Sequence, residues 1–477
     1  MNLYTKKRAR QNIQTLTLIN AILGIFIAGL STRIFMISLP TVAKGLGTDI
    51  LGISWALIAY QVAGIGLGVI CGRLGDIYGH ERVYGFGIVT MAISSLLCGA
   101  SQDVFQLIAF RFVQGMGSAI VQSCGRTLGF RAMPEGSEGK AQGLMAMSHQ
   151  FGFFVGPPIG GLIIDLTNWR WIFFLLLFLP SLAGVVLTYM VGRSVAVTAR
   201  HSASVDYVGA FLFLLLTVLL TMLLDQRLAQ VMGMSNRALL ALVLAGTLWG
   251  FLSNEKKISS PMIDLSFFSI PNFGYGAIGL LMACVTQGLT TFVTPFYLQD
   301  VLGLSPTFMG ILFLVQSVLN MGFAPVSGAI TDRIGARFPL IIGVVCLMVA
   351  FFVGANLQAN SHPILPAVLL AFTGIGSAFF NTPSQAAMVT SLPKEHWGTA
   401  VGIINAIFGL GHLLGISLSA ILLTIAFRYY SGEPAATPHP GDGQVFVASM
   451  NVTYAAALGI SFVALLTSMR IKGRNVS

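Results

Sequence analysis

The chain has 477 residues, of which 55% are hydrophobic and only 9% are charged, and it carries a net charge of +10. A soluble domain has about 25% charged residues, so this composition excludes an ordinary soluble enzyme or signalling domain. The apolar residues are too numerous for the core of a soluble protein, and most of the chain is predicted to lie in a lipid bilayer.

Fourteen apolar stretches follow one another along the chain, and a helix that crosses a bilayer needs about 20 such residues. They predict an all-α membrane protein with spans at 16–39, 52–72, 83–101, 104–132, 141–164, 171–192, 207–225, 237–253, 273–294, 307–330, 338–356, 363–388, 398–426 and 449–470. The first stretch is too long for the hydrophobic region of a signal peptide, and no cleavage site follows it, so it is the first predicted span. The seventh and eighth stretches are the weakest signals, because one ends near Asp225 and the other is short.

The basic residues are distributed unevenly between the two faces of the predicted bundle. With a cytoplasmic N-terminus, 18 of the 26 lysines and arginines fall in cytoplasmic segments and 5 in outer ones. This positive-inside bias predicts a multi-pass protein of the cell inner membrane with both termini cytoplasmic. The remaining three, Arg33, Arg111 and Arg126, lie within spans. The net charge therefore needs no nucleic-acid partner.

The cysteines and the common catalytic motifs argue against a metal site or an enzyme. The five cysteines, at 71, 98, 124, 284 and 346, lie in or beside predicted spans and form neither a CxxC motif nor a Cys/His spacing. We predict packing residues, with no disulfide, metal or other cofactor. The motifs HExxH, GxSxG and GxxxxGK[ST] are absent as well, which disfavours a metalloprotease, a serine hydrolase and an ATP-driven pump.

The fifth predicted span contains the run GLMAMSHQFGFFVGPPIGG at 143–161. Its first proline and four of its glycines are Pro157, Gly143, Gly152, Gly156 and Gly160. Such residues would destabilise a helix in water, but an unpaired backbone group in hydrocarbon costs several kcal/mol, so the helix should persist. We predict a helix that bends near Pro157 and packs a bare face against a neighbour. The simpler alternative is a kinked packing helix of any polytopic protein.

The chain repeats itself. The pentapeptide GRLGD at 72–76 recurs as GAITD at 328–332, an offset of 256, and GKAQG at 139–143 recurs as GTAVG at 398–402, an offset of 259 that also aligns Gly152 with Gly411. Parallel repeats of this kind predict two six-span bundles related by a pseudo-two-fold axis, with the substrate site near the midplane between them. The predicted segments are a cytoplasmic tail at 1–15, bundles at 16–192 and 273–470, a linker with two additional spans at 193–272, and a cytoplasmic tail at 471–477.

Several motifs connect the sequence with a known family. Two copies of a loop motif, GRLGDIYGHER at 72–82 and a second copy from Gly328 to Arg337, resemble a motif of the major facilitator superfamily, and so does the fourth-span sequence that begins at Arg111. The run at 143–161 resembles the antiporter signature of that superfamily, and the span count is similar to that of its fourteen-span drug–proton antiporters. The resemblance implies a secondary transporter that works by alternating access.

The resemblance also implies a conformational role for the loop motif and its copy, namely for Gly72, Asp76, Gly79, Arg82, Gly328, Asp332 and Arg333, as for the glycines and proline of the fifth span. We expect Gly72 to let the second span approach a helix of the other bundle. Asp76 is expected to bind a helix N-terminus or Arg82, as a latch that opens when the bundles move. The alternative is a solvated loop pair that contributes little.

One position departs from the fourteen-span pattern. Members of this branch usually carry an aspartate in the first span, nine residues before its closing proline, where this chain has Ser31 before Pro40. All 16 acidic residues lie in predicted loops or near span ends. A buried carboxylate can exchange a proton for a lipophilic cation, so the lack of one at the midplane argues against cation export.

Charged residues inside a membrane are functional candidates by default. Arg33, about 25 Å along the first span, and Arg126 are predicted to hold an anionic group of a substrate. The alternative is that Arg126 extends to the inner interface and Arg33 to the outer one. Uncharged polar residues complete the predicted cavity: Tyr60, Gln61, Gln287, Gln316, Asn320, Asn381 and Asn405. His149, His412 and Arg111 are candidates for proton coupling. The alternative for each histidine is an ordinary hydrogen-bonded interior residue.

Together these observations predict a secondary active transporter that exports amphipathic or drug-like molecules, in exchange for protons as the resemblance implies. The alternative is an exporter or facilitator of an anionic metabolite or lipid, which the intramembrane arginines favour. We expect a small-molecule substrate, protons and the bilayer as partners, no nucleic acid, no enzymatic activity, and a monomer.

Overall fold

The structure, a computed structural model, describes residues 3–133, 138–192, 206–225, 228, 232–258, 263–393, 396–433 and 436–471. Residues 193–205 of the predicted linker, the end of the predicted tail at 472–477, and the side chain of Asp76 lie outside this description.

Fourteen α-helices make up most of the described chain, and no β-strand occurs among these residues. They are α1 (Leu3–Gly45), α2 (Ile50–Tyr78), α3 (His80–Ala100), α4 (Val104–Ala132), α5 (Glu138–Leu166), α6 (Leu179–Gly192), α7 (Tyr207–Leu224), α8 (Met234–Lys257), α9 (Pro271–Phe296), α10 (Pro306–Ile334), α11 (Arg337–Ala355), α12 (Ile364–Thr390), α13 (Trp397–Ser431) and α14 (Gly443–Arg470). A π-helical segment, Ile172–Phe178, leads into α6, a second, Tyr297–Val301, extends α9, and a 3₁₀ turn, Leu265–Ser269, precedes α9.

Thirteen of these helices are long and apolar enough to span a membrane, which confirms the predicted all-α, multi-pass membrane fold. They include α7 and α8, the two weakest signals in the sequence. The exception is α5, because His149, Gln150 and its many glycines lower its mean hydropathy. It is nevertheless one uninterrupted helix through Pro157 and Pro158, and it packs between α1 and α10.

Several acidic residues begin helices. The side chains of Asp49, Asp103 and Asp206 accept hydrogen bonds from backbone N–H groups in the first turns of α2, α4 and α7, at 2.7–2.8 Å. These bonds satisfy donors that a helix N-terminus leaves unpaired. These three aspartates therefore lie at span ends because they cap helices. Their carboxylates do not lie at the centres of the spans.

The same helix pairs pack together in both halves of the chain. In the first half, α1 packs on α4, α5 and α6, and α4 packs on α2 and α3. In the second half, α9 packs on α12, α13 and α14, and α12 packs on α10 and α11. The turns after α2 and α10 also match, since Gly79 and Gly335 have φ values of 91° and 88° that favour glycine. These correspondences give two six-helix bundles with one internal arrangement; their boundaries at 192 and 273 stay a prediction.

Glycines bring the first and fifth helices of each bundle into backbone contact. A Cβ on Gly29 of α1 would collide with the carbonyl oxygen of His149 in α5, and a Cβ on Gly288 of α9 would lie 2.5 Å from that of His412 in α13. A larger residue at either glycine would push the two helices apart. The two histidines therefore occupy equivalent backbone positions in the two bundles.

The structure corrects the register of the repeat in α5 and α13. An added Cβ on Gly152 would lie 2.6 Å from the backbone nitrogen of Leu30, and one on Gly415 would lie 2.9 Å from that of Leu289. Gly152 thus corresponds to Gly415, and its predicted alignment with Gly411 is wrong. The segment between the GTAVG copy and the crossing is four residues longer in the second half, which is about one helical turn.

The two bundles meet mainly where α5 packs on α10 and α2 packs on α13. The C-terminal ends of α1 and α9 and the N-terminal end of α10 form what we call the closed end. The polar pairs that join the bundles there are Lys44 with Asp300, Thr41 with Gln299, and the backbone N–H of Thr307 with Asp165. Toward the opposite end, the described residues form no hydrogen bond or ion pair between the bundles beyond the level of Asn320.

The inserted helix α7 packs against both α2 and α13, so it lies beside the boundary between the bundles. The indole Nε1 of Trp55 donates to Oδ2 of Asp225 at 2.6 Å, which attaches the end of α7 to α2. Phe213 and Phe251, with ring centroids 5.6 Å apart, connect α7 to α8.

Candidate functional site

Arg33 lies about 18 Å from the end of α1, and its guanidinium reaches across to the other bundle. Nη2 donates a hydrogen bond to Oε1 of Gln316 in α10, with a distance of 3.0 Å. The contact joins two of the predicted cavity residues. It places a positive charge on the boundary between the bundles, at mid-depth below the closed end.

The other donors of Arg33 have weak partners or none. Nη1 contacts the thioether sulfur of Met36 at 3.4 Å, and the buried Nε has no partner among the described residues. The Phe153 ring centroid lies 5.2 Å from Cζ, and no described carboxylate lies within ion-pair distance of Arg33. A guanidinium has five N–H donors, so this site has unused capacity for an anionic ligand.

A second polar contact joins the bundles one turn away. Nε2 of Gln150 in α5 donates to Oδ1 of Asn320 at 3.2 Å, and Nδ2 of Asn320 donates to the carbonyl oxygen of Gly374 at 3.3 Å. Gln150 is not among the predicted cavity residues, although, like Asn320, it is an uncharged polar residue in an apolar stretch. With Arg33 and Gln316, these residues form a polar layer between the bundles.

His149 and His412 flank this layer from α5 and α13. Neither ring forms a hydrogen bond with a described residue, which does not favour the alternative of ordinary hydrogen-bonded interior histidines. His149 contacts the Phe153 ring, with centroids 4.9 Å apart. Each histidine lies within electrostatic range of an arginine: His149 of Arg126, and His412 of Arg33. Both therefore belong to the same positively charged region.

Arg126 lies in α4, on the side of the polar layer away from the closed end. Its side chain is half-buried and has no hydrogen bond or ion pair to the part of the chain that the structure describes. Among the histidines of the site, it lies within electrostatic range of His149. Arg126 and Arg33 thus lie at different depths, and the structure does not bring them together on one ligand group.

Arg111 lies inside the first bundle, away from the boundary. It is fully buried, and Nη1 donates to Oε1 of Gln114 at 2.6 Å and to Oγ of Ser31 at 3.2 Å. The rings of Phe35 and Tyr60 lie on the guanidinium, each with its centroid 4.3 Å from Cζ. Ser31, at the position where the resemblance implies an aspartate, is therefore a neutral partner of Arg111. This arrangement connects α1, α2 and α4.

Tyr60 does not line the boundary between the bundles, contrary to the predicted cavity. Its hydroxyl donates to Oγ of Ser118 at 2.8 Å, and its ring packs on Arg111, so it belongs to the interior of the first bundle. Polarity within a span does not distinguish the inside of a bundle from the boundary between bundles. The remaining polar candidates differ in exposure: Gln61, Gln287 and Asn381 are half-buried, and Asn405 is exposed. Nε2 of Gln287 and Oδ1 of Asn381 are buried without a partner among the described residues.

The loop-motif residues give one further correction. An added Cβ on Gly72 would lie 2.9 Å from Oγ of Ser123 in α4, so Gly72 faces its own bundle and not the other one. The predicted latch partner Asp76 has no described side chain, and Arg82 is exposed. The described ion pair at this loop joins Arg131 and Glu81 at 4.0 Å.

The second copy of the loop motif is largely exposed, whereas most small residues of the fifth span contact neighbouring helices. Asp332 and Arg333 are exposed at the end of α10, and Gly328 would bring an added Cβ to 3.7 Å from Thr382. In α5, Gly143 is exposed with open space around it. The remaining small residues of α5 contact neighbours: Gly152, Gly156 and Gly160 face α1, and the carbonyl of Pro157 faces Gly310 of α10.

Comparison with known proteins gives a consistent result. A family model described as Major Facilitator Superfamily matches residues 21–285 and 276–468. Two curated relatives are riboflavin transporter RibZ of Clostridioides difficile (strain 630), 25% identical over 456 residues that cover 95% of this chain and 96% of the relative, and putative multidrug resistance protein MdtD of Salmonella typhi, 27% identical over 422 residues that cover 87% and 88%.

Solved structures match the fold over nearly the whole chain. A bacterial homologue of the human lysosomal transporter Spinster, in an inward-facing and unoccupied conformation, has a TM-score of 0.68 at 12% identity and covers 96% of this chain and 98% of its own. A POT family transporter in complex with 5-aminolevulinic acid has a TM-score of 0.67 at 17% identity, with 97% and 96% covered. At these identities the likeness concerns the fold alone.

Proposed function

Because the chain belongs to the major facilitator superfamily of membrane transporters, we propose that it exports amphipathic or drug-like small molecules by alternating access. The observation that carries this proposal is Arg33, a cation with unused donors beside an aromatic ring, on the boundary between the bundles. Such a site suits a ligand with an aromatic body and an electron-rich group. Members of this superfamily are transporters, so the chain is a transporter and not an enzyme.

The names of the two relatives support this substrate class. Riboflavin, which one relative is named as transporting, contains an aromatic ring system with polar edges, and the other relative is named as a putative multidrug resistance protein. Phe153 and Met36 beside Arg33 supply an apolar surface that adapts to different shapes. The proposal for this chain is therefore an aromatic or amphipathic solute, with no individual compound singled out.

A second candidate function is export or facilitated passage of an anionic metabolite or lipid. Arg33, Arg111 and Arg126 place three positive charges within predicted spans, and no described carboxylate forms an ion pair with them. A cation would meet repulsion in this region, whereas a carboxylate or sulfonate would find charge-assisted hydrogen bonds. This observation favours anionic members of the proposed substrate class.

The proposal includes an orientation and a coupling ion. The positive-inside bias supports the cell inner membrane with both termini cytoplasmic, which would direct the closed end outward and let substrate enter from the cytoplasm. We propose that His149 and His412 carry the exchanged proton, since histidine changes its charge near neutral pH. We propose a monomer, because one chain contains both bundles.

The test uses proteoliposomes under an imposed pH gradient. Three fluorescent probes share one apolar body and differ in charge: pyrenebutyrate, its uncharged amide, and the corresponding quaternary ammonium. We expect gradient-driven flux in the order carboxylate, amide, ammonium. Replacing Arg33 by Gln should reduce carboxylate flux about tenfold or more, because a hydrogen bond to a charged group contributes about 1.5–3 kcal/mol.

The matched control is Lys257→Gln, which removes one positive charge from the exposed end of α8 and should leave all three fluxes within about twofold of the wild type. Absence of gradient-driven flux for every probe would refute the export proposal. Flux of the ammonium that equals carboxylate flux would refute the preference for anions.

A further inference from the structure

We infer that an anionic group on the substrate takes the guanidinium of Arg33 away from Gln316, so that binding itself removes a tie between the two bundles. This inference rests on the proposed function, since Arg33 and Gln316 belong to the substrate site proposed above. It adds a coupling step: substrate charge determines whether the bundles are released.

The first step is competition for one cation. Oε1 of Gln316 is a neutral acceptor that uses one of the five donors of Arg33. A carboxylate or sulfonate has a full negative charge that the amide oxygen lacks, and it can accept two hydrogen bonds from a guanidinium at once. The buried Nε, which has no partner among the described residues, is available for the second. An anionic ligand therefore displaces the amide oxygen.

The second step is transmission from the side chain to the bundle. An added Cβ on Gly374 would collide with the backbone carbonyl of Gln316, so the backbone of α10 at this residue is held closely against α12. The hydrogen bond from Arg33 thus attaches α1 to the packed second bundle and not to a loose segment. Loss of that bond leaves Gln150 and Asn320 as the polar contact between the bundles at mid-depth, apart from the contacts at the closed end.

The third step concerns selectivity. An uncharged substrate of the same shape could pack on Phe153 without displacing Gln316, and a cation would be repelled by Arg33. Such ligands would leave the tie in place. The protein therefore distinguishes anionic from uncharged or cationic substrates partly at the conformational change and not at binding alone.

Two substitutions at Gln316 show whether this residue competes with the ligand for Arg33 or binds the ligand itself. Gln316→Met removes the competing acceptor at similar volume, and it should tighten pyrenebutyrate binding about threefold to tenfold, measured by fluorescence titration of the purified protein. Gln316→Glu places a carboxylate permanently on Arg33, and it should weaken pyrenebutyrate binding more than tenfold. Binding of the uncharged amide should change less than twofold in both variants.

The matched control is Ser317→Ala, the next residue in α10, whose hydroxyl bonds to the carbonyl of Phe313 in its own helix. It should change neither binding constant by more than twofold. If Gln316→Met weakens pyrenebutyrate binding, Gln316 is a ligand contact and the inference is wrong.

A distance measurement tests the tie without any ligand. Spin labels on cysteines that replace Leu166 and Phe308, both exposed at the closed end, report the separation of α5 and α10; the native cysteines are buried or half-buried. Ligand-free Gln316→Met should increase the population with a longer distance, as pyrenebutyrate does in the wild type, and Gln316→Glu should remove it. If both variants show the wild-type distribution, the inference fails even where wild-type flux supports the export proposal. If no probe is transported but these shifts occur, the tie stands and the export proposal alone is refuted.

Discussion

The two bundles have the same backbone arrangement, but the membrane-spanning part of the first is positively charged and the equivalent positions of the second are neutral. The crossing at Gly29 and His149 in the first bundle has its counterpart at Gly288 and His412 in the second. All three intramembrane arginines, however, belong to the first bundle. By the repeat, the second bundle has Phe292, Leu370 and Gln385 where the first has Arg33, Arg111 and Arg126.

The contrast between Tyr60 and Gln316 shows what this asymmetry does. The two residues correspond in the repeat, since the carbonyl of Tyr60 faces Gly115 as that of Gln316 faces Gly374. Tyr60 packs on Arg111 inside its own bundle. The second bundle has Leu370 in place of Arg111, so Gln316 has no internal cation and bonds to Arg33 across the boundary. The first bundle thus supplies charge, and the second supplies neutral acceptors.

The largest expected effect distinguishes the structural arginine from the ligand arginine. Replacing Arg111 by Ala would leave the buried groups of Gln114 and Ser31 without their partner and remove the cation between two rings. We expect a loss of stability on the order of 3 kcal/mol, visible as a lower thermal midpoint in detergent, and loss of flux for all three pyrene probes.

Arg33→Gln is the control for that experiment, because it should lower carboxylate flux selectively and leave the thermal midpoint within a few degrees. If Arg111→Ala folds normally and impairs only the carboxylate probe, Arg111 is a ligand residue. The division between the interior of the first bundle and the boundary would then be wrong.

The fold could be predicted from the sequence because its signals are long and redundant. Lipid solvent requires apolar spans of fixed length, and the repeated motifs around Asp76 and Asp332 indicate a duplicated bundle. The resemblance to the superfamily adds the same conclusion, and the family match confirms it.

The site was predictable only in part. Arg33 and Gln316 are both recognisable as polar residues in apolar spans, but their hydrogen bond depends on how the two bundles are placed. Tyr60 is also a polar residue in an apolar span, but it lies inside the first bundle. Polarity alone does not show which side of a helix faces the boundary between the bundles. The repeat predicts that His149 and His412 are only near-equivalent, because an additional turn precedes His412; the crossings at Gly29 and Gly288 show that their backbone positions correspond.

The next expected effect tests whether the two crossings are equally tight. Gly152→Val and Gly415→Val each place side-chain atoms where an added Cβ already lies within 3 Å of the partner helix's backbone. Overpacking of this kind typically costs about 1–3 kcal/mol, so the thermal midpoint should fall by a similar amount in both variants. Gly459→Val, at a glycine of α14 with open space around it among the described residues, should be nearly neutral. A large fall for only one crossing would show that the bundles differ in packing as well as in charge.

The smallest expected effect concerns the paired histidines, which have equivalent backbone positions but different surroundings. His149 lies near Arg126 of its own bundle, whereas His412 lies near Arg33 of the other bundle. If they share the exchanged proton, His149→Gln and His412→Gln should each lower pH-driven exchange of pyrenebutyrate a few-fold, and the double variant should abolish the dependence on the gradient while counterflow without a gradient continues.

His412→Gln should alter the affinity for pyrenebutyrate more than His149→Gln does, because the charge of Arg33 reaches His412, whereas His149 contacts the site through the Phe153 ring. Replacement of the exposed His439 by Gln is the control, and it should change neither property. Unaltered exchange in the double variant would remove the histidines from proton coupling. Equal affinity changes at both positions would mean that the bound anion is shared between Arg33 and Arg126, and the assignment of the ligand charge to Arg33 alone would have to be given up.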